Sequence, residues 1–379
     1  MEAKMDLLGG AAQYDICRAC GGAQSNRIRD ALDRWIYPAV RPDGKRVSLL
    51  KVLQTNVCEN DCFYCTNRAG YDTPRASFTP DELARLFMEL VQRRRVQGLF
   101  LSSGVYGRSG QAMERMLATV ELVRRRYAYR GYVHLKIMPG AQDAAVEQAV
   151  RLADRVSLNL EAPTPERLAR ITHSKELHNQ LLTPLRRAAA LARERAGRVT
   201  LTTQFVVGAA DESDSELLQS VQSLYHNLGL ARAYYSAFQP LAHTPLEEHA
   251  PTPTWREHRL YQADFLLRCY GFAIDELVYS PEGNLPRACD PKEMWAVNHP
   301  EVFPIELNTA PESQLLRVPG IGPVTAKRLV ARRRDGKVRD LQQVAAAGGS
   351  AARAAPYVLL DGHRPAYQMA LWQADAPGV

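Results

Sequence analysis

Six times in succession between residues 47 and 241, a short apolar run is followed by a stretch with helical periodicity. The runs are VSLLKVLQTNV (47–57), GLFLSS (98–103), YVHLKIM (132–138), RVSLNLE (155–161), VTLTTQFVV (199–207) and ARAYYSAFQPL (231–241). Strands separated by helices must lie parallel, with the helices packed against the sheet. The expectation is an α/β chain, either a doubly wound sheet or a full or partial barrel. The runs read as mostly continuous apolar strands, as expected when both faces of a sheet are buried. Helix signals support the rhythm. FTPDELARLFMELVQRRR (78–95) opens with a Thr79 cap and Pro80 at the first helical position, and DSELLQSVQSLYHNLG (214–229) stops at Gly229.

At 379 residues the chain is long for one domain. Residues 1–45 read as an N-terminal extension, with a helical stretch around Ile28–Ile36 and a turn at Arg41–Gly44. Residues 46–245 hold the repeated units. A Pro-rich turn, HAPTPTW, opens a connector with a helix at 246–302. A new pattern occupies 303–362, and 363–379 form a tail. The chain is 46% hydrophobic and 23% charged, as in ordinary soluble proteins. No run of eighteen apolar residues occurs, and MEAKMDLLGG lacks a basic region followed by an apolar core. The expectation is a cytoplasmic protein with no membrane partner.

Three of only seven cysteines fall within eight positions, CENDCFYC, at Cys58, Cys62 and Cys65. In a reducing compartment such a cluster reads as metal ligands rather than a disulfide framework. It follows the first strand, at the end of a parallel sheet where active-site residues gather. Three thiolates from one loop can hold three irons of a 4Fe-4S cube and leave the fourth open. A zinc site needs four ligands. Only Cys17 and Cys20, in C-R-A-C, could supply another pair; a second metal site or two plain thiols both stay open there.

C-x3-C-x2-C with Tyr64 before the last cysteine, at the end of the first strand of a six-fold series, resembles the radical S-adenosylmethionine (SAM) superfamily. The resemblance implies a partial (β/α)6 TIM-like barrel, a 4Fe-4S cluster on Cys58, Cys62 and Cys65, and SAM on the open iron. It also implies reductive cleavage of SAM to a 5′-deoxyadenosyl radical, which takes a hydrogen atom from the substrate. Ser102, Ser103 and Gly104 stand where the superfamily has a Gly-Gly-Glu run that receives the SAM amino group; two serines replace the usual residues. Asn159 and Glu161 end the fourth run, where ribose contacts are expected. Val207 and Gly208 end the fifth, on the adenine side, and Phe238 is a further candidate there. For Glu161 a solvated loop acid is the alternative, for Phe238 a core aromatic, and for Lys136 a solvent lysine.

From Arg317 to Arg339 eight basic residues face one acidic residue, a formal charge of +7 that equals that of the whole chain. Here VPGIG (318–322) joins two helical stretches and resembles the helix-hairpin-helix module, a small all-α domain. Glycines let backbone approach a phosphate, and the following helix start offers free N–H groups. Gly320, Gly322, Thr325, Lys327, Arg328, Arg332, Arg333 and Arg334 are the candidate DNA contacts. A hairpin used for protein contacts is the alternative.

The two halves together resemble a family of DNA modification or repair radical SAM proteins linked to a uracil-DNA-glycosylase-like partner. Runs such as SLLKVLQTNVCENDCFYC, GYVHLKIMPGA, QFVVGAADESD and DPKEMWAVNHPEVFPIELNTAP carry it. The expected function is radical chemistry on DNA, with the nucleotide extruded from the stack. An external donor such as a flavodoxin or ferredoxin is expected to reduce the cluster. Cys289, in LPRACDPK, is a candidate hydrogen donor to a product radical, and Cys269 reads as a core thiol. The alternatives are an Fe-S DNA-binding adaptor that recruits the glycosylase-like partner, and a radical SAM enzyme acting on RNA.

Overall fold

The computed structural model describes residues 2–12, 35–40, 46–107, 110–195 and 197–367. The chain divides into two compact units, Met1–His258 and Arg259–Val379.

In the first unit seven strands form one sheet in chain order: β1 (Ile36–Val40), β2 (Arg46–Leu53), β3 (Gly98–Ser102), β4 (Tyr132–Lys136), β5 (Arg155–Ser157), β6 (Thr200–Val207) and β7 (Arg232–Ala237). Neighbours from β2 to β7 are parallel, and β1 adds antiparallel to β2. Between them run α2 (Pro80–Gln92), α3 (Gly110–Glu121), α4 (Asp143–Leu152), α5 (Pro165–Ala169), α6 (Thr183–Glu194) and α7 (Asp214–Leu228). A doubly wound sheet needs a reversal of strand order, and none occurs. Right-handed crossovers that never reverse put the helices on one side and curl the sheet into a half-barrel.

The helix starts follow their sequence signals. Thr79 and Glu82 form a reciprocal capping box on α2, with bonds of 3.2 and 2.8 Å. Ser213 and Glu216 do the same for α7, which ends at Gly229 with φ 65°.

Leu50, Val52, Leu99, Leu101, Val133, Leu135 and Val156 are fully buried on the helix side of the sheet. Alternate residues face the concavity, and these include Lys51, Phe100, His134, Lys136, Arg155, Ser157, Thr202 and Arg232. The expectation of two apolar faces is corrected: helices cover one face only, and the other can carry charge.

The N-terminal reading also changes. Its helical stretch and its turn at 41–44 lie outside the described residues, except Trp35 and Ile36, and Ile36 begins a strand instead. α1 (Glu2–Ala11) was not anticipated in the N-terminal extension; Gly9 and Gly10 within it have low helix propensity. A Cβ on Gly9 would stand 2.6 Å from the Trp35 ring, so the missing side chain admits that ring.

α8 (Thr254–Cys269) runs across the division between the units. The second unit continues with α9 (Pro291–Asn298), β8 (Ile305–Glu306), α10 (Glu312–Leu315), α11 (Pro323–Arg332), α12 (Leu341–Ala346), α13 (Ala351–Ala354) and β9 (Val358–Leu359). Leu307, Leu315, Val318, Ile321, Leu329 and Val344 form its core. The region expected to be all-α also holds a short parallel β8–β9 pair. Glu306 secures that pair by accepting from the N–H groups of Asn308, Asp361 and Gly362.

Candidate functional site

Beyond β2 the chain makes a long loop that carries the three cysteines. Asn56 bridges its two arms, donating to Pro74 O and accepting from Ala76 N, both at 2.8 Å. The Arg75 guanidinium donates to the carbonyls of Asn56, Asn67, Arg68 and Tyr71 at 2.6–3.1 Å. Asp61 anchors the middle of the loop to the segment after α5. It accepts from Thr172 Oγ1 at 2.6 Å, Ser174 Oγ at 2.7 Å and the N–H groups of His173 and Ser174 at 3.1 Å. Burial alone would raise the Asp61 carboxyl; the hydrogen bonds from Thr172, Ser174 and His173 outweigh it and hold the group well below the usual carboxylate range.

Cys58, Cys62 and Cys65 are free thiols. Burial raises the Cys62 pKa, and burial together with Cys62 pushes Cys65 up to about 12. Cys58 adds to both shifts, so the three sulfurs lie within electrostatic reach of one another. Two backbone donors already point at sulfur: Val105 N to Cys58 Sγ and Asn67 N to Cys65 Sγ, each at 3.4 Å. Three thiols on a partly buried loop, two of them held by N–H···S bonds, fit an iron–sulfur cluster. Among the described residues no group of three or more His, Cys, Asp or Glu forms a single-ion site; in a 4Fe-4S cube each thiolate takes its own iron. Cys17 and Cys20 lie outside the described residues.

The end of β3 closes on this loop. A Cβ on Gly104 would stand 2.1 Å from Val57 O, and Gly104 N donates to Thr55 O at 2.7 Å. Ser102 is buried and its carbonyl accepts from Gln54 N at 2.8 Å. The Ser103 hydroxyl is buried without a hydrogen-bond partner. Such an orphan hydroxyl, in the residue before Gly104, fits a site that receives a polar ligand such as SAM.

Glu161 is buried, with φ 67°, so it is not a solvated loop acid. Its Oε1 meets Lys175 Nζ at 3.0 Å, and each side chain is 7% exposed. Lys175 Nζ also lies 3.5 Å from Tyr64 Oη. Burial opposes the Lys175 charge, but Cys62 and Glu161 outweigh it and raise the ammonium pKa. Burial, and then the Glu161 charge, lift the Tyr64 phenol well above its ordinary value. The sequence reading missed Lys175. It stands in THSK, a stretch without a recognisable motif, 111 residues from Tyr64.

The candidates for the adenine side lie at the ends of β6 and β7, and Glu161 O accepts from Val206 N beside them at 2.8 Å. Val207 O accepts from Thr252 Oγ1 at 2.8 Å and from Phe238 N at 2.9 Å. Gly208 has φ 84°, and the space of its absent Cβ is taken by Thr252 Oγ1, 2.0 Å from that position. Phe238 is buried and meets His249 edge-on at 5.3 Å. Asn159 is half-buried beyond β5. Lys136 is 8% exposed, which corrects the solvent reading. Cys269 is exposed rather than a core thiol, because it falls at the end of α8. Cys289 belongs to the second unit, where it is half-buried and burial raises its pKa.

In the second unit α10 and α11 are joined by Val318–Gly322. Gly320 has φ 80°, and a Cβ there would stand 2.6 Å from Ser350 O. Gly322 caps α11. Lys292, 7% exposed, supports this loop from beneath by donating to Ile321 O at 2.5 Å. Lys327, Arg328, Arg332 and Arg334 are exposed. Two candidates are corrected. Thr325 is 3% exposed and packs its methyl within 3.0 Å of the Cβ position of Gly349, so it packs the hairpin instead of facing a phosphate. Arg333 turns inward and donates to Leu307 O and Ala310 O at 3.2 and 2.6 Å.

Residues 52–224 match the Radical SAM superfamily, and residues 303–349 match the helix-hairpin-helix motif. Among solved structures, HydG, a maturase of the FeFe-hydrogenase, has a TM-score of 0.46 and 14% identity, covering 57% of this chain and 48% of that one. Methylornithine synthase has a TM-score of 0.46 and 14% identity, covering 57% of this chain and 60% of that one. SuiB of Streptococcus suis bound to S-adenosylmethionine has a TM-score of 0.44 and 12% identity, covering 61% and 55%. The chain thus spans about half to three-fifths of the length of these proteins. No curated protein matches it in sequence. A radical SAM domain works with a 4Fe-4S cluster and S-adenosylmethionine, and these are the cofactors of residues 52–224.

Proposed function

We propose that this chain, a radical SAM enzyme domain followed by a helix-hairpin-helix motif, acts on DNA. The observation that carries the reading is the presence in one chain of a three-thiol loop and a glycine turn flanked by exposed Lys327, Arg328, Arg332 and Arg334. Cys58, Cys62 and Cys65 would hold a 4Fe-4S cluster, which would supply the one-electron reduction that SAM-dependent radical chemistry requires.

The chain's own residues do the positioning. The N–H groups of Val105 and Asn67 orient two of the sulfurs. Ser103 offers its unpartnered hydroxyl to the polar end of SAM. Tyr64, Lys175 and Glu161 close one side of the site and exclude water from it. Gly320 and Gly322 bring backbone close to a phosphate at the start of α11, and the exposed basic residues hold the duplex by charge. A base inside the stack cannot meet a radical made in a barrel, so the nucleotide is taken out of the helix or from a single strand. Cys289 is the proposed hydrogen donor, and Cys289→Ala should then slow turnover without changing DNA affinity.

A flavodoxin or ferredoxin is the proposed electron source, a glycosylase-like protein the proposed partner, and the cytoplasm the proposed location. Among the described residues no helix is long and apolar enough to cross a membrane.

The test is anaerobic. The reconstituted, reduced protein is given SAM with no nucleic acid, with DNA or with RNA, and 5′-deoxyadenosine is measured. Stimulation by DNA is the expected result. Stimulation by RNA alone would move the substrate to RNA, and DNA binding with an intact cluster but no SAM cleavage would leave an adaptor.

A further inference from the structure

The middle of the cysteine loop is docked on the segment after α5. On one side of Cys62, Asp61 accepts from Thr172, His173 and Ser174 at 2.6–3.1 Å. On the other side, Phe63 N donates to Ile171 O at 2.9 Å, and the Phe63 ring meets His173 edge-on at 5.0 Å. Cys62 is thus held between two residues that are both tied to 171–174, and the next residue along that segment is Lys175. Glu161 is fixed from the sheet. Its N–H donates to Gln204 O at 3.0 Å and its carbonyl accepts from Val206 N at 2.8 Å, which binds it to β6.

Lys175 bridges these two fixed points. Its ammonium donates to Glu161 Oε1 at 3.0 Å and lies 3.5 Å from Tyr64 Oη, and the lysine and glutamate side chains are each 7% exposed. Its third partner is the Cys62 sulfur. An ammonium has three N–H groups, and Glu161, Tyr64 and Cys62 account for all three. Burial has the largest effect on the Cys62 thiol and raises its pKa. Among the charges that act on it, Lys175 comes first and favours the thiolate; Glu161 comes next and opposes it.

Stability does not explain why this ion pair is buried. Two ions taken out of water lose solvation that their attraction returns only in part, and an apolar pair of the same volume is often as stable or more so. A full charge beside a ligand sulfur has a different effect. The reduction potential of an iron–sulfur cluster follows its net charge, the hydrogen bonds to its sulfurs and its exposure to solvent. Reduction adds one negative charge, so a cation at the sulfur favours the reduced form and an anion opposes it. At a pair this deeply buried, salt and water screen little of that effect.

We propose that Lys175 acts through the Cys62 sulfur to raise the reduction potential of the cluster, and that Glu161 holds the ammonium in place and sets how much of its charge the cluster feels. The inference rests on the reading that Cys58, Cys62 and Cys65 carry the 4Fe-4S cluster. Lys175 is a positioning residue: it touches a ligand of the cluster and not SAM.

The test is a redox titration, followed by electron paramagnetic resonance, of the anaerobically reconstituted full chain without SAM. With SAM absent, contacts of Lys175 or Glu161 to SAM have no part in the result. Lys175→Met should disfavour reduction at least about tenfold, which makes the potential more negative by about 59 mV for one electron. Lys175→Arg keeps the charge and should stay near the parent. Glu161→Gln keeps the ammonium and removes the opposing charge, so its potential should rise. The opposite signs decide the matter. If the pair served only to close the loop, both variants would admit water and move the potential in the same direction. Glu161→Gln alone carries the test if Lys175→Met takes up no iron. Shifts of one sign in both variants, or an unmoved potential in either, would overturn the proposal; weaker SAM binding by Lys175→Met with an unmoved potential would assign the lysine to SAM instead. Iron and sulfide content measures the cluster reading separately. A parent that takes up no cluster refutes both, whereas a loaded parent with unmoved variants refutes only the role of Lys175.

Discussion

Gly104→Ala tests how the cysteine loop is held. The new Cβ would stand 2.1 Å from Val57 O, where about 3.3 Å is comfortable for carbon against oxygen. The obstacle is backbone and cannot rotate away, so β3 and the loop must separate by about 1 Å. Three contacts are at risk: Gly104 N to Thr55 O at 2.7 Å, Glu59 N to Val105 O at 2.7 Å and Val105 N to Cys58 Sγ at 3.4 Å. Overpacking costs about 1–3 kcal/mol, and each broken hydrogen bond about 1 kcal/mol. A loss of about 3 kcal/mol is expected, and at 379 residues it lowers Tm by roughly 4 °C. Val57 directly precedes Cys58, so cluster retention should fall as well. The assay is thermal unfolding together with iron and sulfide content after identical reconstitution. Gly110→Ala is the control, since nothing lies within 4 Å of its Cβ position, and it should stay within about 1 kcal/mol of the unaltered protein. A Gly104→Ala protein with normal Tm and full iron would refute the idea that this glycine joins β3 to the cluster loop.

Lys175→Met strands the Glu161 carboxylate in a buried position and should cost about 3–5 kcal/mol in urea unfolding, with much of the loss recovered in Glu161→Gln/Lys175→Met. A single variant as stable as the parent would show that the pair is not closed. In the hairpin, Arg334→Ala should lower the log–log salt slope of DNA affinity by about 0.9, while Arg333→Ala should keep the slope and lower stability; the reverse pattern would contradict the inward turn of Arg333. Lys292 gives a pH dependence. Burial lowers its folded pKa to about 7, whereas the unfolded side chain holds its proton to about 10.4. Between those values the unfolded chain carries more protons, so stability rises with pH, by at most ~1.4 kcal/mol per unit. Unfolding free energies of the parent minus those of Lys292→Met, from pH 7 to 10, should climb; a flat difference would mean that Lys292 titrates normally.

The half-barrel and the thiol loop were legible because both are local patterns: alternation along the chain, and three cysteines on one loop. What was not legible depends on the third dimension. Lys175 meets Tyr64 across 111 residues, and no local signal marks it. YVHLK and RVS looked like apolar strands, yet their alternate positions put His134, Lys136, Arg155 and Ser157 on the uncovered face. Arg333 and Arg334 are neighbours in a basic run, but only one is turned toward the carbonyls of Leu307 and Ala310. The β1 strand was missed because a five-residue edge strand containing Pro38 carries a weak signal.

The tie between Asp61 and Ser174 has a consequence in time. The two residues are 113 positions apart, and at about 5–20 residues per second a ribosome needs roughly 6–23 s to make the intervening chain. The cysteines are therefore synthesised well before the segment that shapes their loop. Until Thr172–Lys175 has emerged and docked, the three thiols are on an unanchored strand of nascent chain, open to oxidation and to stray metal. The loop takes its final shape only once Thr172–Lys175 has docked, so the order of synthesis sets the order in which the site is built.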